Sequence, residues 1–165
     1  MNTTKLKSIL KFSFIITTIL FLSIGQSLSF VFASTTANLE TQYLEDGSYF
    51  ETLTEETPSN ISLFSTTKNK SASRTKAYHS SSGAILWSIT IHATFSYNGS
   101  SSKCTSCSST KKVNNSNWKV SLSTCTKSAN SASVSGTGKK YSNGALIKTI
   151  SETSKLSCKA NGTLY

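Results

Sequence analysis

"ILWSITIHATFSY", Ile85 to Tyr97, alternates without a break. Ile85, Trp87, Ile89, Ile91, Ala93, Phe95 and Tyr97 fall on one side. Leu86, Ser88, Thr90, His92, Thr94 and Ser96 fall on the other. A period of two places these sets on opposite faces of a strand, one against a core and one toward water. Asn98-Gly99 follows, the pair that most readily takes the positive φ angles of a two-residue hairpin turn.

A second alternation runs through Trp118, Val120 and Leu122, with Lys119, Ser121 and Ser123 opposite. Shorter strands fit Thr75 to Ser80, Ser131 to Gly136, Ala145 to Ser151 and Leu156 to Leu164. Turns fit Ser81 to Gly83, Asn114 to Asn117, Ser142 to Gly144 and Asn161-Gly162. Regular short strands separated by such turns predict an all-β fold, a small antiparallel β-sandwich, immunoglobulin-like or similar. "SGAILWSIT" at Ser82 also echoes "NGALIKTIS" at Asn143, as two similar hairpins would.

The first residues have a different character. Lys5, Lys7 and Lys11 precede the apolar block Phe12 to Gly25, and Val31 and Ala33 fit a small-residue cleavage rule. This predicts a secretory signal peptide, residues 1–33, cut between Ala33 and Ser34. The competing reading is an uncleaved anchor, since Phe12 to Phe32 almost spans a bilayer. Gln26 and the serines that end the block favour cleavage. The expected product is a secreted protein, extracellular or loosely wall-associated, with no stable membrane span after cleavage.

Charge divides the remainder. Ser34 to Thr66 holds Glu40, Glu45, Asp46, Glu51, Glu55 and Glu56 and no Lys or Arg; Thr67 to Tyr165 holds a single carboxylate, Glu152, and all the basic residues outside the leader. Residues 34–70 therefore read as an acidic N-terminal arm, with a possible hairpin at Asp46-Gly47, followed by a basic all-β domain at 71–165; the two charge blocks read either as solvated surfaces or as an arm that docks on or shields the domain. "EETPSNIS", with Pro58, reads as a loop.

In an exported protein four cysteines read as disulfides. A two-residue turn at Asn98-Gly99 sets Cys104 opposite Ala93 on the apolar face and turns Cys107 to the polar face. In an extended strand the two lie about 10 Å apart, too far for a bond. A hairpin centred on "NNSN" brings Cys107 near Cys125 on the polar face, while Cys158 shares an inner face with Leu156 and Ala160. The expected bridges are Cys104 with Cys158 through the core and Cys107 with Cys125 on the surface.

Other chemistries find little support. A redox Cys-x-x-Cys sits at the start of a helix, whereas serines and Asn-Gly surround this one. Zinc wants a second closely spaced pair, but Cys125 and Cys158 stand apart, and His79 and His92 read as ordinary exposed histidines. Hydrolysis by paired carboxylates needs two acids, and the basic domain has only Glu152; no G-x-S-x-G is present. The reading is non-enzymatic, without metal or cofactor.

Lys103, Lys111, Lys112, Lys119, Lys127, Lys139 and Lys140 fall largely on polar faces and turns, and make a positive field that suits anionic wall polymers or glycans. A single arginine, Arg74, and no stacking motif argue against specific nucleic-acid binding. Tyr97, Trp87 and Trp118 fit the core better than a sugar-stacking platform, leaving Tyr141.

The runs "YLEDGSYFE", "SSGAILWSITIHATFSYNGSSSKCTS", "NWKVS", "GTGKK" and "LSCKANGTL" resemble a family of small uncharacterised secreted proteins of Gram-positive bacteria, over most of the chain past the leader. The resemblance implies an exported β domain and matches Cys104 and Cys158; Cys107 and Cys125 are additions. It implies no activity. The expected role is non-catalytic binding of anionic or glycan surfaces at the cell envelope, with a secreted effector or antimicrobial, toxin-like protein as the alternative.

Overall fold

The computed structural model describes residues 37–57 and 66–165, so the leader and the Pro58 loop lie outside the described residues. The alternating stretch is a strand from Ile85 to Tyr97. Trp87, Ile89, Ile91, Ala93 and Phe95 are buried on one side of it. In chain order the first sheet holds β1 (Ala37–Tyr43), β2 (Tyr49–Thr57), β3 (Lys68–His79), β4 (Ile85–Tyr97) and β5 (Ser102–Val113), each pairing antiparallel with the next. The second holds β6 (Trp118–Leu122), β7 (Thr126–Ser128), β8 (Ser131–Ser142) and β9 (Ala145–Ser157). Here β6 and β7 lie in succession along one side of β8, and β9 lies along the other. The result is a two-sheet antiparallel sandwich in which β1 to β5 form a meander and the chain crosses to the second sheet after β5, so β5 and β6 do not form the hairpin expected around Asn114 to Asn117.

Two apolar clusters fill the space between the sheets. One gathers Phe50, Tyr78, Trp87, Ile89, Trp118 and Val120; the other gathers Ile91, Ala93, Phe95, Val134, Leu156 and their neighbours, including Cys104 and Cys158. Bare backbone lets the sheets approach. A Cβ on Gly138 would lie 2.7 Å from the Trp87 indole, and one on Gly136 would lie 2.7 Å from Ile89 Cγ2.

The acidic segment forms the expected hairpin, turning between Leu44 and Ser48, but as sheet rather than arm. Tyr49–Thr57 pairs with Ser71–His79, and β1 completes the edge. Along β1 every residue is exposed, and along β2 only Phe50 and Thr54 are buried. An edge hairpin that covers so little core leaves no clear alternation to read. Residues Ser34–Tyr165 form one compact unit.

The register after β4 also differs from expectation. Asn98 to Ser101 form a four-residue loop in which Asn98 Oδ1 accepts the N–H groups of Ser100 (3.0 Å) and Ser101 (2.9 Å), so Tyr97 pairs with Ser102. A β-bulge between Thr94 and Phe95 then sets Cys104 opposite Phe95 and Cys107 opposite Ala93. An extra residue reverses the facing of everything beyond it. Cys107 therefore turns inward like Cys104, against the expected polar facing.

Candidate functional site

Of the two expected bridges the structure contains Cys107–Cys125, with Cα atoms 6.1 Å apart. It is half-buried against the core and joins the two sheets, rather than lying on a polar surface. Cys104 and Cys158 are free, buried thiols in one cluster, not a disulfide. Their backbone N–H groups donate to the carbonyls of two successive residues, Ala129 (2.8 Å) and Asn130 (3.0 Å). The thiols themselves donate to Ser106 O and Lys159 O. Burial pushes both thiols above their ordinary pKa.

The bridge belongs to a sealed side of the sandwich. Lys111 on β5 donates to the Val120 carbonyl on β6, and Lys127 on β7 donates back to the Thr105 carbonyl on β5 at 2.8 Å. These two lysines thus cap carbonyls across the seam.

Among the described residues Glu152, His79 and His92 stand apart from one another. Glu152 lies on the inner side of β9 and pairs with Lys76. His79 is buried rather than exposed, stacked on Tyr49 at 4.5 Å, with Nε2 4.0 Å from Glu51 Oε1. His92 sits exposed between Ser73 and Ser108, on the outer face of the first sheet. Among the described residues no group of three or more His, Cys, Asp or Glu side chains is placed to hold a metal.

The seven singled-out lysines make no ion pair among the described residues. Lys111, Lys112, Lys119, Lys139 and Lys140 gather toward one end of the sandwich, where the β5–β6 loop touches both sheets. Asn114 N–H donates to Leu86 O at 2.9 Å, and Tyr141 N–H donates to Asn117 O at 2.8 Å. Lys103 and Lys127 lie toward the other end. Lys119 and Lys139 are direct register partners on the outer face of the second sheet, and Lys119 Nζ stands 5.1 Å from the centre of the Tyr141 ring. Lys140 faces Lys148. Lys103 and Lys112 point outward from the first sheet, so the lysines do not form one patch.

The acidic residues neutralise a different set. Asp46 pairs with Lys148, and Glu56 pairs with Lys70 at 2.7 Å. The Lys148 and Ser48 hydrogen bonds hold Asp46 down at about 2. Acid and base thus meet along the β1–β2 and β9 side, while the lysine-rich end has no carboxylate partner among the described residues.

That side is open. A polar cleft of about 270 Å³ lies between β1–β3 and β9, lined by Glu40, Thr52, Arg74, Lys76, Thr153 and Lys155 among others. A second hollow of about 500 Å³ shares Glu40 and Arg74 with it and reaches Tyr165. Sequence reading missed this cleft, because its residues come from strands far apart in the chain and share no motif. The sole arginine was the available signal.

Comparison with protein-family models, with curated proteins and with solved structures finds no match for this chain.

Proposed function

We propose that the protein is exported and acts without catalysis, binding anionic or glycan polymers of the cell envelope through its lysine-rich end. The observation that carries this reading is Lys119 directly opposite Lys139, on an exposed face where neither makes an ion pair with a carboxylate among the described residues. Like charges in register across a strand pair destabilise a sheet, and a bound polyanion removes that repulsion. Tyr141 holds the Lys119 ammonium by a cation–π contact and keeps it at the surface. Lys112 and Lys140 extend the positive field around the same end.

The test is retention of the protein, from Ser34 onward, on immobilised polyglycerol phosphate across a sodium chloride series. The double variant Lys119→Gln/Lys139→Gln is expected to elute at clearly lower salt than Lys68→Gln/Lys159→Gln, which removes the same charge elsewhere. Equal shifts would reduce the effect to net charge and sink the reading.

A further inference from the structure

Arg74 is half-buried at the floor of the open cleft. Its Nε donates to Thr54 Oγ1 at 2.8 Å and its Nη1 donates to the Lys155 carbonyl. A guanidinium carries five N–H donors, so two fixed bonds orient the plane and leave donors for a ligand. No carboxylate makes an ion pair with it among the described residues. Burial lowers its pKa, and the charge of Glu40 acts in the opposite sense. A cation withdrawn from water without a contacting anion is the unsatisfied partner of a pair.

The surrounding groups define what would complete it. Lys155, exposed at the rim, adds a second positive charge. Lys76 is engaged by Glu152 and Glu56 by Lys70, so neither offers a free charge. Glu40 is held by Asn38 at 3.3 Å and presents a hydrogen-bond acceptor, as do the hydroxyls of Thr52 and Thr153. Tyr165, well exposed at the far lip, offers a ring face. One cationic fork, one rim lysine and a wall of acceptors match a ligand that joins one oxyanion to several hydroxyl groups.

We propose that the Arg74 cleft is a binding site for a single oxyanion-bearing polyol unit, its carboxylate or phosphate on Arg74 and Lys155 and its hydroxyls toward Glu40 and Thr52. This deepens the reading above and rests on it: the lysine-rich end holds the polymer by charge, and the cleft recognises one of its units. The oxyanion could belong to an acidic sugar or to a polyol phosphate, and the guanidinium fork fits both.

The experiment is calorimetric titration of the protein from Ser34 onward with sodium glucuronate, glycerol phosphate and uncharged glucose. Glucuronate or glycerol phosphate is expected to bind and glucose to bind at least about tenfold more weakly, the scale of one lost charge-assisted pair. The tighter anion names the source. Arg74→Gln is expected to abolish binding. Because Arg74 also links strands, Lys155→Glu supplies a rim variant that keeps its backbone contacts, and it should weaken the anion about tenfold or more at an unchanged melting temperature. No heat with either anion, or an unchanged affinity in Lys155→Glu, overturns the proposal. Lys119→Gln/Lys139→Gln should leave this titration untouched while weakening polymer retention, so the two readings fail separately.

Discussion

Cys107 on β5 is bonded to Cys125, which stands between β6 and β7, and this link ties the two sheets along their sealed side. The loop it closes carries Trp118 and Val120 into the core. With the cysteines 18 positions apart in the chain, loss of the bond frees the unfolded chain and should lower stability by about 3 kcal/mol. Urea unfolding of Cys107→Ser/Cys125→Ser checks this. A midpoint equal to wild type would show that the bond does not constrain the chain.

Cys104 and Cys158 should not react with iodoacetamide in the native protein, since both are buried and burial raises their pKa. Two thiols should become alkylated after unfolding in urea without reductant. Zero thiols in urea would mean that the two are joined.

Gly138 lies under the Trp87 indole, which is fully buried and has nowhere to move. Gly138→Ala should therefore destabilise the fold by about 1–3 kcal/mol, the range for overpacking a filled core. Gly144→Ala differs in kind: its Cβ meets open space, and only its positive φ opposes the change. Thermal melts followed by tryptophan fluorescence should show a displaced indole signal in the first variant alone.

The Asp46–Lys148 pair predicts an acid dependence. The carboxyl falls from 3.8 to about 2 on folding, because Lys148 and Ser48 hydrogen-bond its charged form. A depressed folded value means the contribution is complete above the ordinary value and disappears as pH falls through about 2. The melting-temperature gap between wild type and Asp46→Asn should hold steady above pH 4 or so and close between 3.8 and about 2. A gap unchanged at the acid end would contradict the pairing. At the alkaline end burial pulls Lys148 down but its Asp46 and Tyr78 bonds prevail and raise it, so the same gap should persist past 10.5 before closing.

Strand identity was legible wherever one face is apolar and the other is not. Trp87 to Phe95, Trp118 and Val120, and Val134 all announce their burial by alternation, and the turn glycines at 83, 99, 144 and 162 adopt the positive φ their positions imply. The hairpin turn at Asp46-Gly47 was legible, but the place of 37–57 in the sheet was not, because Leu39 and Tyr43 of β1 stay exposed and the pairing with β3 rests on backbone hydrogen bonds that any sequence can make. Cysteine facing failed for a narrower reason. The loop at Asn98 is longer than two residues and a bulge follows Thr94, and neither leaves a trace in alternation across "SYNGSSSKCTSC".

Local periodicity, turn chemistry and charge already specify the all-β class, the turn positions and the separation of acidic from basic residues. Long-range packing brings the acidic segment into the sheet, joins Cys107 to Cys125 between two sheets whose strands do not pair, keeps Cys104 and Cys158 as buried thiols, and draws Arg74 into an open cleft with Glu40 and Lys155. Those outcomes rest on which strands lie side by side and on which side of the sandwich stays open. Packing sets both between residues distant in the chain.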